Sequence, residues 1–178
     1  MEKQKILIVD DSEMNRDLLA DILKDQYDII EAENGVKAID ILAGQRDAVS
    51  LVLLDIMMPE MDGFGVLRHI NQNHWNDSFA VIMISADDSP ANIKRAYDLG
   101  AFDYISRPFD AVIVQRRLSN TMCLYARQKQ LEQMVIPMRC RYIKKAGKRS
   151  RVPRLKQTLS SCLLNQCFRF FLLQHLAI

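Results

Sequence analysis

Asp10, Asp11, Asp55, Ser85 and Arg107 all stand where a short apolar run stops, and as a set they suit phosphate and magnesium chemistry. Ile6-Leu7-Ile8-Val9 leads into Asp10-Asp11, Leu51-Val52-Leu53-Leu54 into Asp55, Val81-Ile82-Met83-Ile84 into Ser85, and Asp103-Tyr104-Ile105 into Ser106-Arg107-Pro108. Three carboxylates packed together disfavour one another's ionised form unless a cation joins them. Mg²⁺ suits the role, because it prefers oxygen ligands, keeps several waters and is completed by phosphate oxygens. Asp55 is the natural nucleophile: a carboxylate can form an acyl phosphate when cations neutralise the charge on the phosphoryl oxygens. Ser85 can donate a hydrogen bond to such an oxygen, and Arg107 can offer it a planar fork.

The elements that must bring these residues together are legible as alternating runs. Short stretches rich in β-branched residues read as parallel strands buried on both faces. Between them lie segments of helical period. Met14, Leu18, Leu19, Ile22 and Leu23 mark the first, and Val36, Ile39, Leu42 and Ala43 the second. A further strand, 27–33, falls between those helices and is closed by Asn34-Gly35. A third helix follows Asp62-Gly63. Ser89-Pro90 opens a fourth as N-cap and first helical residue, carrying Ile93, Ala96 and Tyr97 to a stop at Gly100. The last begins near Asp110, carries Val114, Leu118, Met122, Tyr125 and Leu131, and meets no breaker until Pro137. Strict alternation predicts an α/β fold with a doubly wound, five-stranded parallel sheet. With strand order 2-1-3-4-5, the first and third strands are neighbours at the point where the winding reverses. Ligands bind there, and Asp10, Asp11 and Asp55 meet there.

Each residue also has a plainer reading. Asp11 or Ser12 alone is a helix cap, Ser85 a turn residue, Arg107 a solvated side chain; their joint occurrence at successive strand ends favours a phosphoryl-acceptor site. Met57, Met58 and Met61 read as loop and core packing. His69, His74 and His175 lack any mutual metal-ligand spacing.

The 178 residues suit one domain with an appendage, and 49% hydrophobic content is enough for a real core. The net charge of +2 conceals an asymmetry. All 22 acids fall at or before Glu132, while ten of the 24 basic residues follow it, so the first part is −8 and the rest +10. An acidic domain suggests metal or cationic partners, and a basic tail anionic ones. Four cysteines without C-x-x-C spacing predict a reducing compartment, and an N-terminus without a signal-peptide core makes cytoplasm the expected location.

At this point the residues resemble the receiver domain of bacterial two-component response regulators. The likeness covers about residues 4–125. It is carried by Ile-Leu-Ile-Val-Asp-Asp-Ser (6–12), Glu-Ala-Glu-Asn-Gly (31–35), Leu-Leu-Asp-Ile-Met-Met-Pro-Glu-Met-Asp-Gly (53–63), Ile-Ser-Ala (84–86) and Gly-Ala-Phe-Asp-Tyr-Ile-Ser-Arg-Pro-Phe (100–109). The resemblance implies a flavodoxin-like fold and a signalling switch with no turnover of an external metabolite. It implies that Asp55 takes a phosphoryl group from a histidine kinase or histidine phosphotransfer protein, and that Asp10, Asp11, Asp55 and the Met57 backbone carbonyl hold Mg²⁺ or Mn²⁺. It further implies that Ser85 and Tyr104 form the switch, altering the face made by the fourth helix, fifth strand and fifth helix, through which a homodimer could form. Pro108 would follow a cis peptide.

One position departs from the family, which usually has lysine where this chain has Arg107. Arginine keeps the charge with a different bulk and reach, implying an altered phosphorylation rate or lifetime. The alternative is a phosphorylation-independent pseudo-receiver that only binds partners. A phosphatase of the haloacid dehalogenase kind would want D-x-D-x-[TV] after the first strand, and Asp10-Asp11-Ser12-Glu13 lacks it.

The organisation expected is a receiver over 1–125, a helical extension over 126–136 and an irregular tail over 137–178, basic and then apolar. The tail is short for a sequence-specific DNA reader. It could contact nucleic acid or anionic membrane non-specifically, or dock as a short helix. The leading reading is out-of-frame translation of a larger regulator, because acids vanish while Arg, Cys, Ser and Phe become frequent.

Overall fold

The computed structural model describes residues 3–146. Five strands, β1 (Lys5–Val9), β2 (Asp28–Ala32), β3 (Val49–Asp55), β4 (Ala80–Ser85) and β5 (Asp103–Ser106), alternate with five helices, α1 (Glu13–Leu23), α2 (Gly35–Gln45), α3 (Gly63–Gln72), α4 (Pro90–Asp98) and α5 (Ala111–Ala146). The sheet is parallel throughout, in the order β2-β1-β3-β4-β5. The doubly wound α/β architecture expected from the alternation is therefore the one observed.

Because side chains alternate across a strand, the sheet carries two cores. Leu7, Val9, Val52, Leu54, Val81 and Met83 point to one face, where Leu42 of α2, Leu67 and Ile70 of α3 and Ala96 of α4 cover them. Ile6, Ile8, Leu51, Leu53, Ile82 and Ile84 point to the other, under Leu19 and Leu23 of α1 and Val114 and Leu118 of α5. Apolar residues on both faces of the central strands explain their near-continuous hydrophobic runs.

The apolar stripes are narrower than the sequence suggests. Met14, Leu18 and Val36 are exposed, as is Leu131 of α5. In an eleven-residue helix the buried stripe is set by Leu19 and Leu23 in α1 and by Ala38 and Leu42 in α2, and neighbours a turn away fall outside it. The second strand spans Asp28–Ala32, inside the expected 27–33. α5 runs through Pro137 to Ala146 instead of stopping at the proline. A proline removes a single backbone donor and crowds one carbonyl, which can kink a helix without ending it. The chain divides into two units, Met1–Gln133 and Met134–Ile178; the sheet belongs to the first, and the described part of the second is the end of α5. Readings of the tail beyond residue 146 lie outside the described residues. No helix among the described residues is long and apolar enough to cross a membrane.

Helix entries are fixed by short polar side chains. Asn34 Oδ1 accepts from Lys37 N at 2.8 Å, Asp62 Oδ1 from Gly65 N at 2.6 Å, and Ser89 Oγ from Asn92 N at 3.4 Å ahead of Pro90. Asn34-Gly35, read as a strand terminator, also starts α2. Gly100 closes α4 with φ of 96°, a conformation only glycine adopts without cost.

Gly63 couples the fold to the site. A Cβ there would stand 2.1 Å from the Asp55 carbonyl oxygen and 3.0 Å from Ile56 Cα, so backbone must move to admit it. Gly63→Ala is expected to destabilise by about 3 kcal/mol, at the upper end for overpacking, despite alanine's better helix propensity. Urea unfolding measures it; an unchanged midpoint would refute the close approach.

Candidate functional site

The carboxyl ends of β1 and β3 lie side by side, with Val9 opposite Leu54, so the residues that follow share one rim of the sheet. Carboxylate oxygens of Asp10, Asp11 and Asp55 lie within 4.8 Å of one another, the outer two in sequence buried and Asp11 exposed. Asp10 is held from several sides. Its Oδ1 accepts from Ser12 N at 2.9 Å and from Asn15 Nδ2 at 3.1 Å. Its carbonyl accepts from Arg16 Nη1 at 2.8 Å, while Arg16 Nε pairs with Glu31 Oε2 at 3.1 Å. Ser12 occupies the N-cap position of α1 but makes no side-chain cap bond; its backbone N–H is instead what Asp10 captures.

Arg107, beyond β5, reaches back across the sheet. Its peptide bond to Pro108 is cis, its N–H donates to the Ser85 carbonyl at 2.9 Å, and its Nη2 donates to Asp10 Oδ2. The same nitrogen lies 3.2 Å from Asp55 Oδ1, yet it is not aligned to donate there: Asp55 Oδ1 and Arg107 Nε are both buried without a hydrogen-bond partner. The pair is thus a close electrostatic contact with its hydrogen bonding left open. Burial pushes the Asp55 carboxyl up to about 6; Arg107 opposes that, the neighbouring Asp10 charge adds to it, and backbone N–H groups of Ile56 and Met57 oppose it.

Ser85 is fully buried at the end of β4, one residue past the partner of Asp55 in the ladder. Its Oγ accepts from Asp87 N at 3.0 Å, leaving its own proton to donate. Tyr104 is buried on β5 and its hydroxyl donates to the Asp87 carbonyl, so both residues of the expected switch engage the backbone of one loop residue. Met57 follows Asp55 by two residues with its side chain exposed.

Asn15, Arg16 and Asp87 belong to the site without any signature in the sequence. Asn15 and Arg16 are polar residues in the first turn of α1 that carry no mark of a site in their type, and in the fold both reach the strand end at Asp10. Asp87 acts through its main chain, which leaves no signature in residue type.

The sequence matches the family model described as the response regulator receiver domain over residues 6–119. The chain belongs to this family. It is similar to the Vibrio cholerae protein named probable cyclic di-GMP phosphodiesterase, 36% identical over 113 residues, 64% of this chain and 25% of that one. It is likewise 35% identical over 115 residues to the response regulator PleD of Caulobacter vibrioides, again 64% of this chain and 25% of the relative. Among solved structures, the signal receiver domain of an HD domain-containing protein from Pseudomonas fluorescens superposes with a TM-score of 0.64 at 26% identity, covering 70% of this chain and 98% of that one. The chain spans 25% to 52% of the length of the first curated relatives it matches. The α/β unit is thus a receiver domain of the two-component signalling class. The phosphodiesterase in the Vibrio relative's name concerns that longer protein.

Proposed function

We propose that Asp55 of this receiver accepts a phosphoryl group from a histidine kinase or histidine phosphotransfer protein. Residues 1–125 would form the responsive unit and 126–136 its helical extension. The observation that carries the reading is Asp55 Oδ1, a buried carboxylate oxygen with no hydrogen-bond partner beside a guanidinium. An orphaned buried acceptor is costly unless the site uses it. In the transfer, an Asp55 oxygen bonds to phosphorus as the P–N bond of the donor's phosphohistidine breaks, and the departing imidazole gains a proton. Ser85 O–H and the Arg107 guanidinium can donate to the phosphoryl oxygens as charge spreads over them.

The donor set also fits Mg²⁺: three carboxylates offer oxygens within 4.8 Å of one another, and Asp55 keeps a buried oxygen with no hydrogen-bond partner. Asp10, Asp11, Asp55 and the Met57 carbonyl would hold the ion, which when bound neutralises phosphoryl charge. Ser85 and Tyr104 would relay the event. A Ser85 hydroxyl drawn to the phosphoryl group would give up its bond to Asp87 N, loosening the loop on which the Tyr104 hydroxyl rests, and so alter the α4–β5–α5 face.

Intact mass after incubation with a small-molecule phosphodonor tests this. The expected result is a gain of one phosphoryl group that requires added Mg²⁺ and is absent in Asp55→Asn. No gain in the folded protein, with phosphodonor or with kinases, would leave the phosphorylation-independent interaction module as the better reading.

A further inference from the structure

Asp10 has two carboxylate oxygens, and they are treated differently. Oδ1 is spent within its own segment, accepting from Ser12 N and Asn15 Nδ2, so Oδ2 is the oxygen left to face the site. That oxygen is the acceptor of Arg107 Nη2. Resting on the metal-site reading above, we propose that Arg107 is a tethered competitor for the divalent cation: in the metal-free protein its guanidinium occupies the Asp10 oxygen that a metal needs, and it must withdraw before the metal can be held.

The same nitrogen that holds Asp10 Oδ2 stands 3.2 Å from Asp55 Oδ1, so one guanidinium lies against two of the three carboxylates of the cluster. Among the described residues, every ion pair to Asp10 or Asp55 is made by Arg107; Arg16, the other cation nearby, is committed to the Asp10 carbonyl and Glu31. A single positive charge offsets only part of the carboxylate cluster, which favours a divalent ion over the side chain once both compete.

The competitor is also built to leave. Its hold is incomplete, with Nε buried and unpartnered and Asp55 Oδ1 close but not hydrogen-bonded, so departure sacrifices one charge-assisted bond to the carboxylates. The side chain is 21% exposed, in contrast to Asp10 at 1%, and can swing toward solvent without opening the core. Once displaced, a guanidinium anchored next to Asp55 has its donors free for the oxygens of an incoming phosphoryl group. The consequence is an order of events in which metal entry releases the residue that completes the phosphate site.

Calorimetric titration of Mg²⁺ into the full chain, without phosphodonor, compares wild type with Arg107→Gln. The variant is expected to bind at least about tenfold more tightly, since a positive charge in contact with the ligands has been removed. In parallel, the Arg107 side-chain ¹⁵Nε resonance of the wild type, assigned through the variant or by site-specific labelling, is expected to shift at saturating Mg²⁺ while that of Arg16 holds still. Equal or weaker Mg²⁺ binding by a folded Arg107→Gln overturns the competition and leaves the metal site standing. An unmoved Arg107 resonance at saturation overturns it as well, and does so without a variant that must fold. Absence of Mg²⁺ binding in both proteins overturns the metal site itself.

Discussion

Asp55→Asn will block phosphoryl uptake and at the same time make the metal-free protein more stable, a pairing of effects that a merely structural aspartate would not show. The Asp55 carboxyl is pushed up to about 6 from an ordinary 3.8, chiefly by burial. A carboxyl raised on folding is held more tightly as its neutral form in the native state. Its favourable contribution is therefore present below the unfolded value and is lost as pH climbs through the folded one. Above about pH 6 the native state bears the net penalty of the ionised carboxylate, burial less what Arg107 and the backbone N–H groups return, on the order of 3 kcal/mol at 1.36 kcal/mol per unit. Asparagine has nearly the same shape and no charge to ionise. Urea unfolding without metal should thus show the variant more stable by about 2–3 kcal/mol near pH 7.5, with the gap roughly halved near pH 5 as the wild-type carboxyl regains its proton. Added Mg²⁺ should narrow the gap from the other side, stabilising wild type more than the variant. A variant less stable than wild type at neutral pH would mean that the contact with Arg107 outweighs burial, and that Asp55 is a structural ion-pair partner.

The sites that can be read in the sequence are those whose position is set by strand ends. A buried parallel strand must be apolar on both faces, so its last apolar residue marks the rim, and the polar residue after it is delivered to the crevice wherever the strand lies in the sheet. Asp10, Asp55, Ser85 and Arg107 are legible on that ground, and the strand order then brings the first two together. What escapes is set by helix rotation and by main chain. Met14 and Leu18 look like core but are exposed, because the stripe through Leu19 and Leu23 already fills the space above Ile6 and Ile8. The rotation that exposes them brings Asn15 and Arg16 onto Asp10, fixing which of its oxygens remains open. Asp87 collects Ser85 and Tyr104 through its backbone N–H and C=O, groups every residue type except proline supplies. Nor does composition reveal that Arg107 turns inward: a lone arginine after a strand is ordinarily solvated, and only the two carboxylates across the sheet make the inward position favourable.

Arg107→Ala is expected to slow phosphoryl uptake from a small-molecule donor by about 10²–10³-fold at saturating Mg²⁺, the scale of losing one preorganised donor to a developing oxyanion. Two effects act in the same direction. The phosphoryl oxygens lose a planar cationic fork, and wherever Mg²⁺ falls short of saturation Asp55, deprived of the cation that lowers its pKa, spends more time protonated and unreactive near neutrality. A third effect opposes them, because removing the guanidinium from Asp10 Oδ2 frees a ligand and should let Mg²⁺ saturate the reaction at lower concentration. A rate that falls while the Mg²⁺ requirement also falls is the signature of a residue that competes with the metal before transfer and assists during it. Arg107→Lys separates charge from shape: it should recover most of the rate if a point charge suffices, and much less if the fork is needed. Stopped-flow rates across a Mg²⁺ series for the three proteins measure both quantities. A slower rate joined to a higher Mg²⁺ requirement would show that Arg107 helps assemble the metal site, and equal rates in all three would remove it from the chemistry, leaving Ser85 as the protein donor to the phosphoryl group.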